Sequence, residues 1–197
     1  MKIILASASP RRQALVTRLK IPFEIVAPEY EETHHPDEDP ETTCRRLAEE
    51  KAGLVARRFP GDLVVGADTI VVLGREVLGK PTDSDDARRM LQALSGQTHL
   101  VKTAVALVLL DQKHHSGFIE TTKVTFHPLE TAEIDRYVAL DPPLDKAGAY
   151  GIQDLSGIFV KQVNGCYHNV VGLPLARFYM HLKEHGLLPS LLTIKPL

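Results

Sequence analysis

Apolar residues in this chain fall into short continuous runs separated by stretches of helical spacing. Ile3-Ile4-Leu5-Ala6 is the first run, and an uninterrupted apolar stretch of that length predicts a strand covered on both faces. A helix is predicted directly after it. Ser9 can cap that helix, and Pro10 then takes the first helical position, where a missing N–H costs nothing. Asp39-Pro40 opens a second helix in the same way, running to about Arg58. Leu63 to Ala67 is again continuously apolar and predicts a second buried strand. Ile70 to Leu73 and Glu76 to Leu78 flank Gly74-Arg75 and predict a hairpin. Asp83 to Leu94 predicts a helix stopped by Ser95-Gly96. Strands follow at Leu100 to Leu110 and Phe118 to Phe126. Thr131 to Leu140 predicts a helix ended by Asp141-Pro142-Pro143, Ile158 to Val163 a strand, and Pro174 to about Glu184 a last helix. The residues from Leu187 read as a loosely packed tail. Strands and helices alternate around a central hairpin, which predicts an α/β layer fold on a mixed sheet.

Composition narrows the function. The chain has 197 residues, with 44% hydrophobic and 24% charged, the profile of an ordinary soluble globular domain. A net charge of −2 gives no basic field for long nucleic acid. The N-terminal apolar stretch is too short for a signal peptide and no run approaches a membrane span, so no membrane partner is expected. Cys44 and Cys166 make neither a disulfide framework nor a CxxC motif. They read as core or surface fillers in a reducing, cytoplasmic protein. P-loop, GxGxxG, GxSxG and HExxH patterns are all missing, which disfavours the common nucleotide-binding and hydrolase classes.

Several residues break the local pattern. Ser7-Ala8-Ser9-Pro10-Arg11-Arg12 lies where a strand becomes a helix. Free N–H groups there favour an anion and arginine adds bidentate bonds to phosphate oxygens, although a plain capped surface helix has the same pattern. Lys51 shares a helical face with Leu47 and Val55, so it either snorkels or meets an anion. Asp68 ends the Leu63–Ala67 run, and ligands in open α/β sheets lie beyond strand carboxyl ends. An aspartate there can bind a metal, take a proton from water, or cap a turn. Lys80-Pro81 holds a lysine at the edge of a rigid turn. Glu31-Glu32 suits Mg²⁺ or is a solvated acidic loop. His34-His35 and His114-His115 lack zinc-ligand spacing and read as surface histidines. Asp145 to Gln153 is rich in Gly and Ala, which allow a backbone close to a ligand. Tyr150 can line a base pocket and Gln153 can read a base edge, or the segment is a tight structural turn.

In order and spacing these segments resemble the Maf family of nucleoside triphosphate pyrophosphatases. The resemblance also covers Gly66-Ala67-Asp68-Thr69, Gly79-Lys80-Pro81, Ser95-Gly96-Gln97-Thr98-His99 and Val171-Gly172-Leu173-Pro174, and spans residues 1 to about 185. It implies a single Maf-like domain with an elongated mixed-sheet fold, two lobes around a deep cleft, similar to inosine triphosphate pyrophosphatases. It implies cleavage of a nucleoside triphosphate to the monophosphate and pyrophosphate with a divalent metal, Mg²⁺ or Mn²⁺. Asp68 would be the proton acceptor. Ser7, Arg12, Lys51 and Lys80 would hold the phosphates, and Glu31 would help place the metal. Arg11, Thr69 and Gln153 match positions that tune base choice, and resemble the branch acting on dTTP and UTP. Cys166 and the pair Asp154-Leu155 depart from the residues usual among relatives and bear on base preference. Alternatives are the same chemistry on 7-methyl-GTP or other modified nucleotides, and a nucleotide-responsive regulator of septum formation. Family behaviour points to a homodimer.

Overall fold

The computed structural model describes residues 1–29, 33 and 38–192. Among them are seven strands: β1 (Ile3–Ala6), β2 (Phe23–Ile25), β3 (Leu63–Leu73), β4 (Glu76–Leu78), β5 (Thr98–Leu109), β6 (His114–Phe126) and β7 (Val160–Asn164). They form one mixed sheet in the order β2-β1-β3-β5-β6-β7, with β4 paired to β3. The helices are α1 (Pro10–Thr17), α2 (Pro40–Ala56), α3 (Ser84–Leu94), α4 (Thr131–Leu140), α5 (Tyr167–Val171), α6 (Leu175–Glu184) and α7 (Leu188–Leu192). The α/β class and mixed sheet expected from the alternation of patterns are therefore present. The chain divides into two compact units: Met1–Asp68 with Thr103–Glu120 and Gly172–Leu197, and Thr69–Lys102 with Thr121–Val171.

In the first unit β1 runs parallel to both β2 and β3, and all four β1 residues are buried, as a continuous apolar run requires. Ser9 caps α1, its side chain accepting from the Arg12 N–H, with Pro10 as the first helical residue. Asp39 caps α2 by accepting from the N–H groups of Glu41 and Thr42 at 3.0 and 3.2 Å. Helix α2 turns Cys44, Leu47, Ala48, Lys51, Ala52 and Val55 inward. The predicted caps of both helices, and the predicted face of α2 with Leu47, Lys51 and Val55, are the observed ones.

In the second unit β3 and β4 form the expected antiparallel hairpin about Gly74-Arg75, with Val71 opposite Leu78. Asp83 caps α3 through the N–H groups of Asp85 and Asp86. One apolar cluster includes Leu91 and Leu94 of α3, Tyr137 and Val138 of α4, and Phe126 and Phe159. β6 pairs with β7 antiparallel, with an irregularity at Thr125/Phe126.

Five elements differ from the sequence expectation. The two runs Leu63–Ala67 and Ile70–Leu73 are one strand, because Asp68 and Thr69 continue it instead of turning. β2 has three residues, too few to show a period, and exists through its pairing with β1. A helical turn, α5, follows Cys166, and Ile158 lies in a 3₁₀ segment ahead of β7. The expected loose tail begins instead with α7, whose Leu188 and Leu191 are buried, as is Leu187.

Candidate active site

The parallel register of β1 and β3 builds the site. Ala6 pairs with Gly66, the last matched pair between the two strands. Ser7 follows directly on one strand and Asp68 lies just beyond on the other, so both occupy the carboxyl-end side of adjacent parallel strands. Asp68 is inside β3, so it is no turn cap, yet it lies past the stretch of β3 that pairs with β1.

Gly66 lets α2 approach that end. A Cβ at Gly66 would lie 2.8 Å from the Ala52 nitrogen and 2.9 Å from the Ala52 Cβ, and would collide with the Ala48 carbonyl oxygen. Without one, the small face of α2 rests against the strand, and Lys51, between Ala48 and Ala52, meets Asp68. Lys51 Nζ donates to Asp68 Oδ1 at 2.6 Å, with the two side chains only 11% and 10% exposed. The lysine that the helical period places in an apolar stripe does meet an anion, a carboxylate of its own chain. A buried charge of either sign is strongly unfavourable alone, and here each side chain has the other as its partner. The Cys44 thiol also donates to the Asp68 backbone oxygen, at 3.4 Å. Burial pushes that thiol up to about 12, with the Asp68 carboxylate adding to the effect, so Cys44 stays protonated and is no nucleophile.

Arg12 is fixed from two sides. Its Nε donates to the Gly172 carbonyl at 2.9 Å and its Nη1 to Ser7 Oγ at 3.3 Å. Ser7 Oγ accepts a second bond, from the Ser9 N–H at 3.2 Å. With two donors aimed at its lone pairs, the Ser7 hydroxyl has its own proton to give to an oxygen anion. Arg11 and Arg12, both half-buried, lie in the first turn of α1, where the helix dipole also favours an anion.

Ser7, Arg11, Arg12, Lys51 and Asp68 thus all belong to the first unit, while Thr69, Lys80 and Gln153 belong to the second. Thr69 is half-buried, and Lys80 and Gln153 are exposed. Gly79, next to Lys80, accepts at its carbonyl from the Gly148 N–H at 2.9 Å, which ties the Lys80 turn to the loop of Gln153. Tyr150 belongs to that loop. It is buried in the core, bonded to His99 Nε2 at 2.8 Å, and burial drives its phenol pKa well above the usual value. Glu31, Glu32, His34 and His35 lie outside the described residues. Of the other histidine pair, His115 is exposed, but His114 is half-buried against His185.

The family model described as "Maf-like protein" matches residues 2–185. This chain belongs to the Maf family. The dTTP/UTP pyrophosphatase of Carboxydothermus hydrogenoformans (strain ATCC BAA-161 / DSM 6008 / Z-2901) is 46% identical over 186 residues, covering 94% of this chain and 100% of that protein. The dTTP/UTP pyrophosphatase of Escherichia coli (strain K12) is 50% identical over 187 residues, covering 94% of each chain. Among solved structures, the Staphylococcus aureus Ham1 protein covers 64% of this chain and 72% of its own, at 11% identity and a TM-score of 0.42. That likeness is too slight to bear on the fold.

Besides the contact of Lys51 with Asp68, two contacts in this Maf-family chain were not legible in the sequence. The Gly172 carbonyl that holds Arg12 and the Cys44 thiol on Asp68 both join distant segments, although Gly172 stands in a motif that the resemblance includes. Among the described residues no three His, Cys, Asp or Glu side chains form a metal-holding group. Asp68 is the one carboxylate among the described phosphate-site candidates, and Mg²⁺ needs only one or two carboxylates alongside substrate phosphates and water. The donor set therefore fits a cation that arrives with a phosphate ligand.

Proposed function

We propose that this chain hydrolyses dTTP and UTP to the nucleoside monophosphate and pyrophosphate. The observations that carry the reading are the buried Lys51–Asp68 pair and the Ser7–Arg12 contact, with Ser7 and Asp68 just past the Ala6–Gly66 register pair of two parallel strands. The names of the relatives, nearly half or half identical along almost the whole chain, supply the substrate class.

In this mechanism a water attacks the α-phosphorus. The new bond joins that phosphorus to the water oxygen, and the bond from the α-phosphorus to the bridging oxygen of pyrophosphate breaks. Lys51 engages Oδ1 of Asp68, and Oδ2 takes the proton of the attacking water. Phosphate charge otherwise repels an oxygen nucleophile. Arg12, Lys51, Lys80 and the Ser7 hydroxyl offset it and hold the chain of phosphates for in-line attack. A divalent cation, Mg²⁺ or Mn²⁺, would supply further charge neutralisation when bound, with Glu31 helping to hold it. Arg11, Thr69 and Gln153 are assigned to base choice. A cytoplasmic setting and a homodimer belong to the same proposal, and two cysteines without a CxxC motif suit a reducing compartment.

The test is incubation with Mg²⁺ and, separately, dTTP, UTP, CTP, 7-methyl-GTP and dITP, with pyrophosphate and monophosphate both measured. Turnover concentrated on dTTP and UTP is the expected result. Turnover mainly of 7-methyl-GTP or dITP would keep the chemistry and overturn the base assignment. No product from any of them, with Mn²⁺ also tried, would overturn the enzymatic reading.

A further inference from the structure

Lys146 is buried, yet no step above uses it. A lysine is kept inside a protein only where its charge is matched. Its ammonium lies 3.0 Å from Asp145 Oδ1, 3.5 Å from Asp154 Oδ2 and 3.9 Å from Asp141 Oδ1. Burial works to lower its pKa, but the hydrogen bond and charge of Asp145, together with Tyr137 and Asp141, outweigh that and the pKa is raised. Lys146 is therefore a permanent cation near neutral pH.

The three carboxylates have different places in the chain. Asp145 is the neighbouring residue and Asp141 follows α4, whereas Asp154 comes from the far side of a tight turn. That turn is Gly151-Ile152-Gln153-Asp154, closed by the Asp154 N–H donating to the Gly151 carbonyl at 3.0 Å. Its first residue is held by the fully buried Ser156. Ser156 Oγ accepts from the Gly151 N–H and donates to the Gly151 carbonyl, both at 3.0 Å. Its last residue faces Lys146. Gly151 is what lets the two ends close. A Cβ there would collide with Asp154 Oδ2 and lie 3.2 Å from Lys146 Cδ. Gln153 lies between the two anchors with its side chain exposed.

We infer that Lys146 and Asp154 are positioning residues that hold the Gln153 turn in one conformation, so that the Gln153 amide is set in advance for the base of the nucleotide. The inference rests on the assignment of Gln153 to base choice. An amide on a mobile turn loses backbone and rotamer freedom when it binds, and so discriminates weakly. A turn fixed at both ends has already lost that freedom in the free protein. Hydrogen bonds select sharply between analogues only when the protein group cannot move to suit the wrong one. The relation of the pair to chemistry is indirect, through Gln153, so the loss should fall on KM and on base selection more than on kcat.

The experiment compares kcat and KM on dTTP, UTP and CTP for the wild type, Asp154→Asn, Lys146→Met, Lys146→Arg and Gln153→Ala, with thermal unfolding of each. Asp154→Asn keeps the shape and removes the charge. It should raise KM for dTTP about 3- to 10-fold and narrow the dTTP-to-CTP ratio of kcat/KM in the same direction as Gln153→Ala. The fall in kcat should be smaller than the rise in KM. Lys146→Arg should recover most of the ratio lost in Lys146→Met. Should Lys146→Met fail to fold, Asp154→Asn decides the question alone. An unchanged ratio in Asp154→Asn, with Gln153→Ala altered, would overturn the inference and leave the pair purely structural. An unchanged ratio in Gln153→Ala would overturn it by removing its premise. No turnover by the wild type would identify the failure as that of the proposed function.

Discussion

At the scale of single residues, the Lys51–Asp68 pair decides most. Asp68→Asn keeps an oxygen that can accept from Lys51 but removes the basic carboxylate. Turnover of dTTP should fall by roughly 10²–10⁴, and the urea midpoint should also fall, because Lys51 keeps a hydrogen-bond acceptor but loses its countercharge. Lys51→Met leaves a buried carboxylate without its cation and should destabilise the fold by about 3 kcal/mol in urea titration. If Lys51→Met unfolded with the wild-type midpoint, Asp68 would have to be solvated, against its buried position. Lys51 was conspicuous in the sequence because the helical period sets it in an apolar stripe. Its partner was not legible. Asp68 is 17 residues away in a different element, and only the packing of helix on strand determines that the two side chains meet. Tyr150 is a residue for which the sequence left two readings open. Its surroundings of small residues suggested a ligand pocket, but an aromatic ring flanked by small residues is equally a core residue, and His99 and Phe126 pack on its edge.

At the scale of elements, the close contact of α2 with β3 depends on Gly66. Gly66→Ala should force α2 away from the strand and cost about 1–3 kcal/mol, as overpacking in a core does. Because the same contact presents Lys51 to Asp68, turnover should fall by more than the loss of folded protein explains. Measuring activity at a temperature where the variant is fully folded separates the two effects, and wild-type turnover there would refute the role given to Gly66. The caps and turn residues made most helices readable, since Ser9, Asp39 and Asp83 each satisfy exposed N–H groups from a local position. β3 was misread as two strands because Asp68-Thr69 interrupts an apolar run. A charge in mid-strand is a break by composition, but Lys51 offsets it and the strand continues.

At the scale of the whole molecule, buried histidines link stability to pH. His99 is buried in the second unit and its pKa is drawn down by burial to about 4. His181 and His114 of the first unit are lowered by burial first, then by the neighbouring His185. An unfolded chain takes up these protons near pH 6.5, while the folded chain resists. Stability is therefore fully present above pH 6.5 and lost as pH falls toward 4, by about 3 kcal/mol for His99 alone. Urea titrations at pH 7.5 and 5 should show this loss, and His99→Gln should flatten it. A pH dependence unchanged in His99→Gln would show that His99 does not carry it. By itself the sequence determined the alternation of strands and helices, their caps, the family, and the list of residues suited to a polyphosphate. Those properties are local, set by periodicity, by backbone N–H groups and by residue chemistry. Only the tertiary structure decided that the first apolar strand ends level with Gly66, that Lys51 binds Asp68, that Arg12 is held by Gly172, and that Lys146 braces the Gln153 turn. Each of these joins segments far apart in sequence, and their distances follow from which surfaces pack together, which no local pattern records.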